Sequence, residues 1–419
     1  MKKRPLLLTE YITAPAVELT ARDATRLRRA VPTMSVVPSW DAPGAYDLTP
    51  GSEVGMVALD DFPVVIRPKV PTDRVLFLIS YALDPARWQQ WTGLYDIADD
   101  VVEGMAAVFA QAMKRALHRG VLQGYRFTED ALMTVRGRVQ FDEQLRRRFG
   151  APLPLEVRFD EYTEDTEFNR VLRAALWRLS RLPIRSRQVR SLLAFSSAVL
   201  ADTVTLVEYR RDRLPELRWD RLNQHYRIAA ELALLVLRST SVEIAEGRAV
   251  GTGFVIDMNL VFEEFIRAAL REALGLASST FPSGSKVSVA LDERATIKLK
   301  PDLSWWAGNS CIFVGDAKYK RISVKGINHP DLYQLLAYTI ALDLPTGLLI
   351  YATGEAEQTE HAVVHAGKRL EVTTVDLSGT PSRILADVAR IAARIRALRA
   401  PFAAATGAKT ENAASAVGL

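Results

Sequence analysis

Residues 300–319 read KPDLSWWAGNSCIFVGDAKY, and this stretch decides how the carboxyl-terminal half of the chain is expected to fold. Two apolar runs of strand-like composition flank residues 307–309 (AGN), which are typical of a hairpin turn. Side chains two positions apart on a strand point to the same face, so Asp316 and Lys318 are expected to project together. Asp302 begins the preceding strand, and the turn can bring it beside Asp316. The stretch therefore predicts two carboxylates and one ammonium on neighbouring strands.

Such a cluster contains the residue types that a metal-dependent phosphodiester hydrolase needs. Carboxylate oxygens are hard ligands for Mg²⁺, which polarises a phosphate and lowers the pKa of a bound water. An ammonium beside the metal can orient that water or stabilise charge on the phosphate. We therefore expect Asp302 and Asp316 to bind Mg²⁺ and to form, with Lys318, the catalytic set. The alternative is a strand-end aspartate after a proline and a solvated Asp-Lys pair, because three loosely spaced residues often arise by chance.

The sequence around these residues is locally basic. Between residues 296 and 325 the only acidic residues are Asp302 and Asp316. The basic residues of the same window are Lys298, Lys300, Lys318, Lys320, Arg321 and Lys325. A basic segment with two isolated acids suits phosphate binding, and Lys300, Lys320 and Arg321 are our candidates for contact with DNA. The net charge of +5 permits nucleic-acid binding but does not establish it.

Helices expected on either side of these strands supply further candidates. Glu263 lies on an amphipathic helix expected at residues 256–274, from which it could reach the metal; a solvated helix-face charge is the alternative. Gln334 and Tyr338 are four apart on a helix expected near residues 330–342, so they share one face, and their polar groups could contact DNA. Packing or backbone positioning is the other explanation for this pair.

The chain of 419 residues is long for one domain, and 48% hydrophobic with 25% charged residues is ordinary for a globular protein. We expect an α+β amino-terminal region, β-rich and then helical, followed by an α/β domain. The expected domains are a β-rich and helical domain at 1–160, a helical linker domain at 161–250 and the α/β domain at 251–400. A disordered, alanine-rich tail is expected at 401–419. No apolar run reaches the roughly 18 residues of a membrane span, and the single cysteine suits a reducing compartment, so a cytoplasmic location is expected.

The Pro-Asp at 301–302, followed after 13 residues by Asp-Ala-Lys at 316–318, resembles the motif of the PD-(D/E)XK nuclease superfamily. More narrowly, the chain resembles the McrC family, the nuclease subunits of McrBC-type, modification-dependent restriction systems. The stretches that carry the resemblance are RVLFLISYAL, VRGRVQF, YTEDTEFNRVLRAAL, FVIDMNLVFEEFIRAAL, PDLSWW, GDAKYK and DLYQLLAY. It implies a restriction-endonuclease-like fold with an active site of Asp302, Asp316 and Lys318, and Glu263 matches the glutamate of the family's L-F-E-like helix. Val261 stands where that helix usually has leucine, which is a conservative change.

The resemblance also implies an Mg²⁺-dependent endodeoxyribonuclease that cuts double-stranded DNA within a GTP-dependent complex. The implied partner is McrB, an AAA+ GTPase ring that the amino-terminal region docks into and stimulates. The chain has no GxxxxGK[ST] sequence, so it is not expected to hydrolyse a nucleoside triphosphate itself. Our candidate ring contacts are Arg136 and Arg138, which alternate onto one strand face in VRGRVQF. A solvated basic edge strand is the alternative for these two arginines.

Two other functions remain open at this stage. One is a non-catalytic adaptor that only binds DNA or the partner, and the other is a stand-alone DNA repair nuclease. The intact set of Asp302, Asp316 and Lys318 argues against the adaptor. The large amino-terminal region argues against the stand-alone nuclease.

Overall fold

The computed structural model describes most of the backbone of the chain. The described residues are 5–59, 62–95, 100–149, 151–245, 248–320, 329–352 and 359–414, and side chains are described for these except at 241–252, 285 and 400–414. No helix within these ranges is long and apolar enough to cross a membrane.

The described residues form both strands and helices along the whole chain. The strands are β1 (Leu6–Thr9), β2 (Ala14–Glu18), β3 (Ser35–Pro38), β4 (Ala45–Thr49), β5 (Glu53–Ala58), β6 (Pro63–Arg67), β7 (Gly124–Leu132), β8 (Arg138–Val139), β9 (Leu155–Thr163), β10 (Thr240–Ala245), β11 (Arg248–Asp257), β12 (Val289–Ala290), β13 (Lys298–Leu299), β14 (Leu303–Ala307), β15 (Ser310–Lys318), β16 (Thr346–Ala352), β17 (Thr359–Ala362) and β18 (Arg369–Val375). The α-helices are α1 (Ala21–Ala30), α2 (Thr72–Leu83), α3 (Thr92–Tyr95), α4 (Val101–Ala116), α5 (Phe141–Arg148), α6 (Glu167–Leu179), α7 (Arg187–Ala201), α8 (Arg227–Ser239), α9 (Met258–Leu274), α10 (His329–Ala341) and α11 (Pro381–Ala414).

The chain divides into two compact units, and both are discontinuous in sequence. Unit 1 comprises Met1–Gly55, Val64–Val101 and Ile256–Leu419. Unit 2 comprises Met56–Pro63 and Val102–Val255. The domain boundaries expected at residues 160 and 250 separate segments that are expected to fold independently. These boundaries stay a prediction.

Unit 1 contains a mixed sheet with the strand order β14–β15–β16–β18–β17. Strands β15, β16 and β18 are parallel, while β14 and β17 pair antiparallel at the two edges. Every residue of β16 is buried, which explains its continuous apolar run. Helix α10 packs on β15 and β16, and α9 and α11 pack together and against β15. This is the mixed α/β organisation expected for residues 251–400.

Unit 1 also contains amino-terminal elements. Strand β1 pairs in parallel with β6, and β2, β4 and β3 form a separate antiparallel sheet. Helix α2 packs against α9, with the ring centroids of Phe77 and Phe265 5.6 Å apart. Segments that are distant in sequence therefore share one hydrophobic core.

Unit 2 combines helices with a three-stranded antiparallel sheet in the order β7–β9–β8. Strands β7 and β9 pair from Gly124 with Thr163 to Leu132 with Leu155. Helix α6 packs against α7 and α8. It begins after Thr166, whose hydroxyl accepts a hydrogen bond from the backbone nitrogen of Asn169 and so caps the helix.

The carboxylate of Asp165 joins three parts of unit 2. Its Oδ1 accepts from Nε of Arg170 and from the backbone nitrogen of Thr205, both at 2.8 Å. Its Oδ2 accepts from Arg126 on β7, from Nη2 of Arg170 at 2.7 Å and from the Thr205 hydroxyl at 2.8 Å. These donors, Arg170 first, hold the pKa of Asp165 well below its ordinary value.

Helix α11 and the strands ahead of β14 differ from the sequence expectation. The composition predicts a helix at 382–399 and a disordered tail from residue 401, whereas α11 (Pro381–Ala414) continues through most of that tail. Alanine is the strongest helix former, so an alanine-rich segment can still be helical. The sequence also predicts strands at 286–291 and 296–305. In the structure they are reduced to β12, β13 and β14, because residues 291–297 form a turn and Pro301 cannot donate to a strand ladder.

We predict that Asp165→Asn lowers the free energy of unfolding by about 2 kcal/mol at neutral pH, because the amide loses the charge that pairs with Arg126 and Arg170. Urea unfolding followed by circular dichroism measures this loss. The pKa of Asp165 is lower in the folded state than in the unfolded state. The extra stability of the wild type over the variant is therefore complete above the unfolded pKa of about 4, and it is lost as the pH falls below that value. Asp212→Asn is the matched control, since Asp212 is 60% exposed in its pair with Arg210. Equal losses for the two variants would contradict a special role for Asp165.

Candidate functional site

Asp302, Asp316 and Lys318 lie together in unit 1. Asp302 immediately precedes β14, while Asp316 and Lys318 lie at the end of β15, and the antiparallel pairing of these strands brings the carboxylates together. Nζ of Lys318 is 2.6 Å from Oδ2 of Asp316 and 3.7 Å from Oδ2 of Asp302. The backbone nitrogen of Ala317 donates to Oδ2 of Asp302 at 3.2 Å. The turn between the strands contains Gly308 at φ +60°, a conformation that glycine favours.

The side chain of Asp316 is fully buried, and this sets the electrostatics of the cluster. Burial, and then the negative charge of Asp302, raise the pKa of Asp316 well above its ordinary value, although Lys318 opposes the shift. Burial alone would lower the pKa of Lys318, but Asp316 and Asp302 raise it overall. Oδ1 of Asp316 has no hydrogen-bond partner among the residues that the structure describes. The charged form of Asp316 is therefore unfavourable in this cluster, even with the ammonium of Lys318 beside it.

Helix α9 brings Glu263 into the electrostatic field of this cluster. Burial, and then Asp302, raise the pKa of Glu263 to about 7, while Lys318 lowers it. The sequence analysis missed Arg267, one helical turn further along α9. Burial, and then Arg271, lower the pKa of Arg267 to about 10, while Glu263 and Asp302 oppose the shift. Its four-residue spacing from Glu263 is the sequence signal that could have identified it.

Tyr338 on α10 lies at the same site. Its side chain is buried, and its hydroxyl donates to the backbone oxygen of Lys300 at 3.2 Å. Burial, and then Asp316 and Asp302, raise the pKa of the Tyr338 hydroxyl, and a hydrogen bond with Gln334 opposes the shift. Tyr338 thus anchors the backbone two residues before Asp302, which is the positioning role left open by the sequence. The side chain of Lys300 itself is exposed.

The remaining basic candidates beyond β15 are placed differently. Nζ of Lys320 is 3.1 Å from Oδ1 of Asp331, so its charge is partly neutralised within the protein. Asp331 is buried and also accepts a hydrogen bond from the Tyr351 hydroxyl at 2.8 Å. Arg321 lies outside the described residues.

Amino-terminal residues reach the end of β15, and the sequence analysis missed them. The hydroxyl of Tyr319, next to Lys318, donates to Oε1 of the buried Glu10 at 2.8 Å. The backbone nitrogen of Lys69 donates to the same oxygen at 2.5 Å. Nζ of Lys69 lies 3.9 Å from the centroid of the Tyr319 ring. No local pattern could have revealed this network, because Glu10 and Tyr319 are 309 positions apart.

The donor set is suited to a hard divalent cation. The described residues contain no group of three or more His, Cys, Asp and Glu side chains arranged to hold a metal ion. Mg²⁺ does not require such a cage, because it is usually held by one or two carboxylates and retains several waters. Asp302 and Asp316 supply two carboxylates, and the unpartnered, buried Oδ1 of Asp316 is an oxygen that a cation would satisfy. A cation held there would lower the pKa of a bound water beside Lys318.

Arg138 lies in unit 2 on β8, whereas Arg136 lies in the loop before this strand, so the expected alternation of the two arginines on one strand is not found. Arg138 is exposed on the edge strand β8. Nη1 of Arg136 is 3.8 Å from Oε1 of Glu161, and its guanidinium lies 4.0 Å from the centroid of the Phe159 ring. The β7–β9 surface, as we name it here, consists of exposed apolar residues of this segment. They are Tyr125, Phe127, Met133, Val135, Phe141, Leu145, Phe149, Leu153 and Tyr162.

Comparisons with known proteins give one family and one fold. The model of a family described as McrBC 5-methylcytosine restriction system component matches residues 48–352. One similar solved structure is the refined half-complex from the tetradecameric assembly of Thermococcus gammatolerans McrB AAA+ hexamers with bound McrC. A chain of that structure is 18% identical to this chain with a TM-score of 0.53, and the match covers 92% of this chain and 98% of that chain. A chain in the Thermococcus gammatolerans McrBC complex is 19% identical with a TM-score of 0.41, over 64% of this chain and 88% of that chain. No curated protein matches the chain.

We predict that Gly284→Ala lowers the free energy of unfolding by about 1–2 kcal/mol. A Cβ atom at this position would lie 2.9 Å from the backbone oxygen of Pro301 and 3.2 Å from Cα of Asp302, so the backbone at Asp302 must shift. Urea unfolding measures the loss. Gly93→Ala is the matched control, because its added Cβ meets no atom within 4 Å and its stability is expected to stay equal or rise. Unchanged stability of Gly284→Ala would mean that the Asp302 backbone yields freely.

Proposed function

The chain belongs to the family of McrBC 5-methylcytosine restriction system components, and from this premise we propose that it is the McrC-type DNA endonuclease subunit of such a system. The observation that carries the proposal is the pair of carboxylates, Asp302 and Asp316, in contact with Lys318 at one end of two neighbouring strands. The fold shared with a chain of the Thermococcus gammatolerans assembly, over 92% of this chain, supports it.

The proposed reaction is hydrolysis of a DNA phosphodiester at a site of the PD-(D/E)XK type. Asp302 and Asp316 bind Mg²⁺ in this proposal, with Glu263 as a third ligand. The bound ion stabilises charge on the phosphate and lowers the pKa of a water. Lys318 stays protonated because its pKa is raised, so it donates to the phosphate or to the attacking water. Burial and the charge of Asp302 raise the pKa of Glu263, and a cation held beside it would favour its ionised, ligating form.

The proposed substrate is double-stranded DNA, and the contacts differ in kind. Lys300 is exposed next to Asp302 and is proposed to bind a phosphate of the backbone. Lys320 is proposed to bind a second phosphate, for which it must leave Asp331, and Arg321 is proposed to act beside it. Gln334 and Tyr338 are proposed to act mainly by holding the Lys300 backbone in place.

The proposed partner is an AAA+ GTPase ring of the McrB kind, which the chain binds and stimulates. The solved assembly from Thermococcus gammatolerans contains McrB AAA+ hexamers with bound McrC. The feature that supports such a contact here is the β7–β9 surface, since exposed large apolar side chains mark interaction sites when they form a patch. Arg138 on β8 and Arg136, whose guanidinium packs on Phe159 of β9, are the proposed polar contacts. We therefore assign partner docking to unit 2 and cleavage to unit 1.

We predict that Asp302→Ala and Asp316→Ala each reduce DNA cleavage by at least about 10²-fold, because one carboxylate alone does not hold Mg²⁺ productively. The measurement is cleavage of modified duplex DNA with Mg²⁺, GTP and the AAA+ partner. Asp343→Ala is the matched control, since the side chain of Asp343 is fully exposed in its pair with Lys368. Cleavage at the wild-type rate by either active-site variant would refute the proposal.

Lys318→Ala separates catalysis from metal binding in the same assay. We expect this variant to lose cleavage while it retains Mg²⁺ affinity, measured by calorimetry, because the ammonium acts on water or phosphate rather than on the ion. Loss of Mg²⁺ affinity with the fold intact would mean that Lys318 organises the carboxylates instead.

We predict that Arg136→Glu combined with Arg138→Glu reduces stimulation of the partner's GTP turnover at least about fivefold, because charge reversal at an interface costs on the order of 1 kcal/mol or more. GTP hydrolysis by the partner is measured against the concentration of the full chain. Arg210→Glu is the matched control, since Arg210 is an arginine of unit 2 with 75% exposure outside the β7–β9 surface. If the double variant stimulates as well as wild type, the arginines form only a solvated basic edge.

A further inference from the structure

A small hairpin leads directly into the Asp302 site. Strands β12 and β13 pair antiparallel, with Val289 opposite Leu299. Asp302 follows three residues after Leu299. Gly284 precedes the hairpin in sequence and lies close to the backbone of Asp302, so the chain entering the hairpin contacts the chain leaving it. We name residues 289–299 the entry hairpin.

The entry hairpin exposes two apolar side chains. Leu291 is 37% exposed and Ile297 is 51% exposed. The two residues are cross-strand neighbours, because the backbone nitrogen of Leu291 donates to the backbone oxygen of Ile297 at 2.9 Å. A two-stranded hairpin gains little stability from such exposed residues. Their position indicates contact with another molecule rather than a folding role.

Asp292 fixes the turn of the entry hairpin before any partner binds. Its Oδ1 accepts from the backbone nitrogen of Ile297 at 2.7 Å, and its Oδ2 accepts from the hydroxyl of Thr296 at 2.6 Å. The turn includes Ala295 in a left-handed conformation, at φ +55°. These hydrogen bonds lower the pKa of Asp292, so its charge is satisfied locally. A preorganised turn loses little conformational entropy when it binds.

Basic residues accompany the apolar pair. Lys286, Arg294, Lys298 and Lys300 are exposed along the segment, against the acids Asp292 and Glu293. Five residues of strand extend about 16 Å, and the major groove of DNA, about 12 Å wide and 8.5 Å deep, admits a two-stranded β-ribbon. A duplex with a phosphate at Asp302 lies within this reach of the entry hairpin.

We propose that the entry hairpin inserts into a groove of the duplex that is bound at Asp302, Asp316 and Lys318. Arg294 and Lys298 bind phosphates on the groove walls, and Leu291 with Ile297 contacts the apolar surface of sugars and thymine methyl groups. This inference rests on the proposed function, because it needs duplex DNA at the site. A protein partner is the competing occupant, and the excess of basic side chains next to a phosphodiester site favours DNA.

The test measures binding of a duplex of about 30 base pairs by the full chain in EDTA, across a range of salt concentrations. We expect Arg294→Ala with Lys298→Ala to reduce the slope of log affinity against log salt by about 2, because two phosphate contacts are lost. Leu291→Ser with Ile297→Ser is expected to weaken binding roughly tenfold with the slope unchanged. Arg390→Ala is the matched control, because Arg390 is 69% exposed on α11, and its slope is expected to equal that of wild type.

The outcomes separate the inference from the proposed function. Wild-type DNA binding by both hairpin variants, with unchanged thermal stability, overturns the inference. The same variants binding DNA normally but failing to assemble with the AAA+ partner would identify a protein-docking hairpin and overturn it as well. If the wild-type chain never cleaves DNA with Mg²⁺ and the partner, yet the arginine and lysine variant shows the predicted change in slope, the proposed nuclease is refuted while the DNA contact stands.

Discussion

The desolvated carboxylate of Asp316 is the constraint on which the rest of unit 1 depends. A carboxyl with no exposed surface is unfavourable in its charged form, and its pKa stays well above the ordinary value even with Nζ of Lys318 at 2.6 Å. The residues of β15 on either side of it are apolar, so the compensation comes from Lys318 two positions further on, while the charge of Asp302 adds to the cost. Such sites tend to reduce stability, because the arrangement favours binding and chemistry over packing. The proposed cation would relieve this cost and tie stability to occupancy.

The part of the site that is local in sequence is predictable. A glycine-containing turn and the two-residue alternation of strands suffice to bring Asp302, Asp316 and Lys318 together, and the structure has all three at this hairpin. Helical periodicity also places Glu263 on α9 and Tyr338 on α10. What periodicity does not give is distance between elements. The effect of Asp302 on the pKa of Glu263 becomes visible only once α9 is packed on β15.

The remaining features depend on long-range packing, and no sequence pattern reveals them. Lys320 has the same composition signal as Lys300, yet it pairs with Asp331, whereas the Lys300 side chain is exposed. Tyr319 contacts Glu10 across almost the whole chain, so the amino-terminal strands support the end of β15. The discontinuous make-up of unit 1 has the same origin. Residues 1–101 have the short strands and breaks of an independent domain, and only the structure shows that most of them share a core with the carboxyl-terminal half.

That discontinuity has a consequence for synthesis. Strands β1–β4 leave the ribosome early, and Val64–Val101 follows soon after them. The third segment of unit 1 begins only at Ile256. At roughly 5–20 residues per second, the intervening stretch of unit 2 takes roughly 8–30 s to make. During that interval the growing chain carries neither Asp302 nor Asp316. Unit 2, to which we assign partner docking in the proposed function, is therefore made before the carboxylate site to which we assign cleavage.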